Sequence, residues 1–275
     1  MNLNVLIKKY KENGYEDQEA IAKLSQDIIL LKISKSKYKE HITIKGGVVM
    51  HNISKDKRRA TRDIDIDFIK YSLDDESIKT FINNLNEVKD GITIEIIDNI
   101  IKLHHQDYDG KRVNIKIVDE YNNKINSKLD IGIHKQFDIK QEEYCFDLNI
   151  INQSVSILIN SKEQIFVEKL KSLLKFGIRS TRYKDIFDLY YLINNEKIDD
   201  NNLIKYLDIL IFKDKSLYEK NIDDIINRLI NIFQNKRYQN MLNMANDNWL
   251  SIPLNKVIDS ILKYINNLKK IKTYS

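Results

Sequence analysis

Arg59-Ala60-Thr61-Arg62-Asp63-Ile64-Asp65-Ile66-Asp67-Phe68 sets three carboxylates at every second position between apolar residues. Side chains alternate between the two faces of a strand, so the spacing predicts a β-strand. Ile64, Ile66 and Phe68 turn toward a core, and Asp63, Asp65 and Asp67 share the other face. Three acids on one face repel one another, and the isoleucines ask for a buried strand rather than a solvated edge. A divalent cation relieves that repulsion. Carboxylate oxygens are hard ligands that suit Mg²⁺ or Mn²⁺, ions that keep some waters and take further ligands from a substrate's phosphates. The stretch therefore points to phosphoryl or nucleotidyl transfer. Asp67 lies furthest along the strand, where a surface or salt-bridging role suits it better than ligation.

Upstream, His41 to Lys45 reads as a short strand that runs into Gly46-Gly47 and a helix beginning near Val48. Glycines at such a turn let backbone N–H groups approach a phosphate, and the helix N-terminus adds a favourable dipole. Most Gly-Gly pairs are simply tight turns, so this signal draws its weight from the acid strand beside it. Downstream, the period changes to four β-like runs, 92–97, 100–104, 113–117 and 125–133, separated by turns such as Asp109-Gly110. They are expected to form a meander in the same sheet. The last run holds Leu129-Asp130-Ile131, an acid inside an apolar segment. A lone buried carboxylate is costly unless paired or bound to a cation, so Asp130 is the candidate third metal ligand on a neighbouring strand.

The remaining pattern is mostly helical. Residues 15–37 read as an amphipathic helix over the sheet, and 74–89 as a helix capped by Asp74 or Asp75. Short strands follow at 146–150 and 155–159. From Ser161 onward the chain turns helical: Ser161 with Gln164 makes a capping box for 163–176, Gly177 stops that helix, and further helices cover 181–194, 201–212, 222–233, 236–249 and 254–271. The expected architecture is α+β, with an α/β domain over 1–160 and a helical domain over 161–275.

Composition narrows the setting. The 275 residues are 42% hydrophobic and 31% charged, a globular balance long enough to bury a core. A net charge of +5 permits a polyanionic partner without demanding one. One cysteine, Cys145, excludes an internal disulfide and a thiolate zinc site, which suggests a reducing cytoplasm. No leader or membrane-spanning run is apparent, so a soluble protein is expected. His104-His105 lack further ligands at metal-binding spacing. His51, His134 and Trp249 read as packing or solvent residues, and the 15 tyrosines are too scattered for a base-stacking platform. In the helical half, Arg182 with Asp185 and Lys184 with Asp188 have ordinary ion-pair spacing, while Lys169 could reach a phosphate as a point charge.

Five segments in this order resemble the AbiEii/AbiGii toxin family, nucleotidyltransferase-fold toxins of type IV toxin–antitoxin and abortive-infection systems. They are Lys45-Gly46-Gly47, Arg59 through Ile66, Lys128 through Gly132, Glu163 through Leu170, and Ser180 through Leu189 with its Lys184-Asp185-x-x-Asp188-Leu189 ending. The resemblance covers about residues 20–195. It implies a mixed sheet, a helical C-terminal domain and an NTP-binding cleft. By that similarity Asp63, Asp65 and Asp130 hold the metal, Lys169 contacts phosphates, and Asp185 is a further catalytic acid that orients or deprotonates the acceptor. Lys45, Gly46, Gly47, Thr61 and Arg182 join Lys169 as nucleotide-binding candidates. The implied activity is transfer of NMP from an NTP, with Mg²⁺ or Mn²⁺, to tRNA, and growth inhibition relieved by an antitoxin protein. Alternatives are a protein or small-molecule acceptor, or a catalytically silent nucleotide-binding module. Two features depart from or extend the pattern: Gly47 stands where many superfamily members carry Ser, and Thr61 offers a hydroxyl on the acid face as a point of inhibitory phosphorylation. If the basic residues Lys55, Lys57, Arg58, Arg59, Arg62, Arg179, Arg182 and Lys184 converge, they would supply an RNA-binding strip.

Overall fold

The computed structural model describes residues 1–103, 110–244 and 247–271. The His104-His105 pair lies outside them. The chain is mixed α+β, with ten α-helices and one eight-stranded mixed sheet among the described residues. It divides into two compact units, Met1–Asn160 and Ser161–Ser275.

In the first unit, β1 (Ile42–Lys45), β2 (Ile64–Phe68), β3 (Ile92–Ile96), β4 (Ile101–Leu103), β5 (Gly110–Asp119), β6 (Lys124–Ile133), β7 (Glu142–Leu148) and β8 (Gln153–Ile159) form the sheet. Its order is β3-β5-β6-β2-β1-β8-β7, with β4 also on β5. β2 lies inside the sheet, antiparallel to β1 and parallel to β6. Ile64, Ile66 and Phe68 are buried as their alternation predicts, next to Ile42, Ile44, Leu129 and Ile131. Each such side chain contributes about 1.5–3 kcal/mol. The Phe68 ring meets Tyr71 and Phe81 edge-on at 5.1 and 5.3 Å, which fastens α4 (Asp75–Leu85) to the strand. Asp74 caps α4 by accepting from the Ser77 amide at 2.7 Å.

The expected meander is only partly present. β5 and β6 make a hairpin, but β3 and β4 do not pair with each other. Both run antiparallel along the same side of β5, with Ile96 opposite Ile115 and Ile101 opposite Arg112. Five steps along one chain face three along the other, so β3 and β4 are one edge strand broken by a bulge.

The expected amphipathic helix is also corrected. α2 (Asp17–Lys35) is buried continuously from Ala22 to Ile33, polar residues included. The reason is α1 (Leu3–Glu12), which the sequence reading did not find and which packs against α2. Burial forces each polar side chain on α2 to find partners. Lys32, with no exposed surface, donates to the Leu85 and Ile92 carbonyls and to Asp90 at 2.9–3.3 Å. Lys23 and Tyr10 both donate to Asp27, and burial pushes the Asp27 carboxyl above its usual range against the pull of those partners.

The second unit is helical: α5 (Lys162–Phe176), α6 (Tyr183–Asn195), α7 (Asp200–Leu207), α8 (Ile222–Phe233), α9 (Lys236–Met244) and α10 (Leu254–Asn267). Ser161 caps α5 by accepting from the Gln164 amide at 3.2 Å, and Gly177 ends it at φ +54°. The capping box is only half made, because the Gln164 amide group turns to Glu168 at 2.8 Å. The helix expected over 201–212 ends as α7 and continues as a π-turn over Asp208–Phe212.

Candidate functional site

The acid strand is the centre of a charged row that crosses four strands in register. Lys45 on β1 lies opposite Asp65 on β2, Asp65 beside Asp130 on β6, and Asp130 opposite Arg112 on β5. Residues paired across neighbouring strands point to the same face, about 4.8 Å apart, so these four side chains rise from one surface. Arg112 grips Asp130 with two bonds of 2.7 Å to its two oxygens, and this hydrogen-bonded carboxylate holds the guanidinium above its usual pKa. Lys128 lies 2.7 Å from Asp63 and Lys45 lies 2.7 Å from Asp67. Asp67 is thus a buried salt-bridging residue, the role its position suggested.

Four carboxylates facing three cations leave the row with one formal negative charge. Among the described residues, no three His, Cys, Asp or Glu side chains are gathered around a common point as metal ligands are. The donor set nevertheless fits a hard cation in kind, since Asp63, Asp65 and Asp130 offer only carboxylate oxygens on one face. Ligation there competes with ion pairing, because Asp130 gives both oxygens to Arg112 and Asp63 one oxygen to Lys128.

The Gly-Gly turn meets this row directly. α3 (Gly46–Ser54) starts at Gly46, whose φ of +63° is the left-handed region that favours glycine. A Cβ on Gly46 would lie 2.7 Å from Asp65 Oδ2, so the helix N-terminus and the central acid touch. A Cβ on Gly47 would lie 2.6 Å from Thr61 Oγ1 and 2.7 Å from Thr61 Cβ. That contact explains why glycine replaces the expected serine: the Thr61 side chain fills the space. The buried Gln26 of α2 holds this arrangement by donating to the Thr61 carbonyl at 2.8 Å.

In the second unit, Lys169 of α5 lies 2.5 Å from Asp185 and 2.8 Å from Asp188, both on α6. Asp188 has no exposed surface and also accepts from the Trp249 indole at 3.1 Å. Asp185 and Lys169 sit nearer the surface, with 17% and 8% of their side chains exposed. One lysine bridging two acids is fixed in position, and Trp249 is a buried residue that secures the inner acid.

The other singled-out residues separate clearly. His51 is buried against the Tyr15 hydroxyl at 3.1 Å, and burial lowers its pKa to about 4, so it packs as a neutral ring. His134 is buried, 3.1 Å from the Ile139 carbonyl. Of the basic residues expected to form a strip, Arg59 is buried, Arg58 folds back onto Asp56 at 2.7 Å, and Lys57 donates to the Asn13 carbonyl and lies over the Tyr15 ring. Arg62, Arg179 and Arg182 are exposed. Sequence reasoning missed Arg112 and Gln26. For Arg112 a signal existed, since pairing the 110–119 and 124–133 runs as a hairpin sets it opposite Asp130.

No helix among the described residues is long and apolar enough to cross a membrane. No curated protein matches the chain. Residues 28–251, most of the chain, match the family described as nucleotidyl transferase AbiEii toxin, type IV TA system. The match includes the acid row, the Gly-Gly turn and the Lys169 cluster, and the chain belongs to the AbiEii family of nucleotidyl transferase toxins of type IV toxin–antitoxin systems.

Proposed function

We propose that the chain transfers an NMP unit from an NTP to tRNA in a Mg²⁺-dependent reaction, and that the resulting growth inhibition is relieved by a cognate antitoxin in the cytoplasm. The observation that carries this reading is the in-register pair Asp65 and Asp130 beside the glycine-lined N-terminus of α3. Carboxylates for a cation and bare backbone N–H groups for phosphate oxygens then stand on one face.

Asp63, Asp65 and Asp130 would hold the ion, with Mn²⁺ able to substitute. Bound Mg²⁺ supplies charge neutralisation at the transferring phosphate and lowers the pKa of the attacking hydroxyl. The chain's own residues do the rest. Gly46 and Gly47, which have no side chains of their own, would offer main-chain amides to the triphosphate beside Asp65 and Thr61. Arg112 and Lys128, paired with Asp130 and Asp63, would place positive charge near the polyanionic substrate. Lys169 offers an ammonium to the phosphates, and Asp185, shared with that lysine, accepts a hydrogen bond from the acceptor hydroxyl and orients it. Lys45, pinned by Asp67, keeps a fixed positive charge at the end of the row.

The test is incubation of the purified chain with total tRNA, Mg²⁺ and each α-labelled NTP in turn, with Asp63→Ala/Asp65→Ala as control. Label entering RNA with one NTP, and absent with the variant, identifies donor and acceptor class together. Label entering a protein or metabolite of a cell extract instead overturns the tRNA acceptor and keeps the chemistry. Silence with all four NTPs and both acceptor pools overturns the enzymatic reading.

A further inference from the structure

The chain has eight arginines against 37 lysines, and four of the eight lie in the second unit, as Arg179, Arg182, Arg228 and Arg237. Among the described residues the side chains of Arg179, Arg182 and Arg237 have no ion-pair or hydrogen-bond partner, and all three are exposed. Arg228 is held loosely, 4.0 Å from Glu219 and 3.5 Å from the Leu174 carbonyl at the C-terminal end of α5. Arginine retained in a lysine-rich chain and left without a carboxylate, as Arg179 is, or only loosely paired, as Arg228 is, is poised for an external anion. Its planar fork suits phosphate better than an ammonium does.

Two of these arginines, Arg179 and Arg228, line a groove of about 220 Å³ together with Phe176, Ile178, Asn231 and Ile232. Arg179, Arg228 and Asn231 make it mostly polar, and Phe176, Ile178 and Ile232 add an apolar side, with Ile178 half exposed at 49%. Gly177 makes the groove possible: its φ of +54° turns the chain sharply after α5, and a Cβ there would lie 3.2 Å from Arg228 Nη2. Two guanidiniums at the rim, an aromatic and an aliphatic face within, and one amide side chain match the parts of a nucleotide. Phosphate goes to arginine, the base face to Phe176 and Ile178, and the base edge to Asn231. An acidic peptide would use the guanidiniums and leave the Phe176 and Ile178 side uncovered.

The chain runs from the groove's Arg179 through Arg182 into α6, which carries Asp185. Arg182 precedes Tyr183 and Arg237 precedes Tyr238, and those two rings are 6.2 Å apart. Asp185 in turn is close enough to Tyr238 to help raise that phenol above its usual range, behind the larger effects of burial and Tyr183. Arginines, groove and Asp185 therefore belong to one neighbourhood of the second unit. We infer that this surface, with Arg179 and Arg228 on the phosphates and the Phe176–Ile178 groove on an unstacked base, docks a single-stranded segment of the RNA acceptor. The inference rests on the RNA acceptor proposed above and assigns it a binding surface.

The test uses the full chain and fluorescein-labelled total tRNA, read by anisotropy over a series of salt concentrations. Arg179→Gln and Arg228→Gln are each expected to weaken binding about 3–10-fold, and to flatten the salt dependence by roughly one unit of slope per lost phosphate contact. Ile178→Ala should weaken binding with no change of slope, because it removes a stacking face and no charge. Asp63→Ala/Asp65→Ala should bind at least as tightly as the parent. Arg179 supports no other part of the fold, so its variant stays informative even where Arg228→Gln loosens the end of α5. Unchanged affinity and slope in Arg179→Gln, with tRNA bound by the parent, overturns this surface and leaves the RNA acceptor standing. No tRNA binding by the parent overturns both. Equal displacement of tRNA by polyglutamate of matched charge overturns the nucleotide groove, because the surface would then read charge alone.

Discussion

Gly47→Ala tests the packing at the Gly-Gly turn, because two opposed effects act at that position. Gly47 is the second residue of α3, where alanine is intrinsically better than glycine by about 1 kcal/mol. Its Cβ, however, would lie 2.6 Å from Thr61 Oγ1 and 2.7 Å from Thr61 Cβ. Rotating Thr61 moves the hydroxyl and leaves its Cβ in place, so relief requires a backbone shift. Overpacking of that kind costs about 1–3 kcal/mol, and the upper part of the range applies because Gln26 fixes the Thr61 carbonyl. The net expectation is a loss of about 2 kcal/mol, or roughly 4–8 °C in the melting temperature at 2–4 °C per kcal/mol. In a Thr61→Gly background the obstacle is gone, and the same Gly47→Ala change should become neutral or stabilise by about 1 kcal/mol. Thermal unfolding of the four proteins of this cycle followed by circular dichroism decides it. Equal losses from Gly47→Ala in both backgrounds would refute the steric argument.

Replacing Lys169 with Ala leaves Asp188 buried without its cation and is expected to cost about 3 kcal/mol. Adding Asp188→Asn should recover much of that loss, as read from urea midpoints. Arg112→Ala should cost about 2 kcal/mol, and Arg112→Lys should restore less than half because a single ammonium cannot reproduce two parallel bonds to Asp130. The lowered pKa of His51 has a definite sign. The unfolded ring takes up a proton near pH 6.5 and the folded ring only near 4, so its contribution is full above 6.5 and is lost as pH falls toward 4. That amounts to roughly 3 kcal/mol. Asp27, with its raised pKa, acts oppositely, so the comparison of parent and His51→Asn stability across this window isolates the histidine. Removing divalent ions with EDTA should leave the melting temperature within about 2 °C, because Asp63, Asp67 and Asp130 already have basic partners. A large fall would show that a cation holds the row together.

The strand over 64–68 was legible because its two-residue period is local, and Asp130 because an acid inside an apolar run is anomalous in one dimension. The caps of α4 and α5 were legible for the same reason. What escaped depended on pairing between distant segments. α1 shows only Leu3, Leu6 and Tyr10 at helical spacing, too few to read, and its presence turned α2 from a surface helix into a buried one. The break between β3 and β4 is visible only against the register of β5. Asp188 read as one half of an ordinary helix pair because Lys169, its buried partner, is 19 positions away. Arg112 carried no anomaly by itself, and only the hairpin register gives it meaning.

The position of β8 bears on the order in which the nascent chain folds. β1 carries Lys45 and leads into the Gly-Gly turn, and one of its two edges is closed by β8 in parallel, with Thr43 opposite Leu158 and Ile44 opposite Ile159. Pairings across such a sequence separation form slowly and late. During synthesis the β7–β8 hairpin must leave the ribosome before that edge is covered, so the turn that would cradle a nucleotide stays incompletely supported until then. The last strand of the sheet is therefore the one that finishes the first, and a chain cut short before residue 153 is expected to emerge with an open, apolar edge and to aggregate.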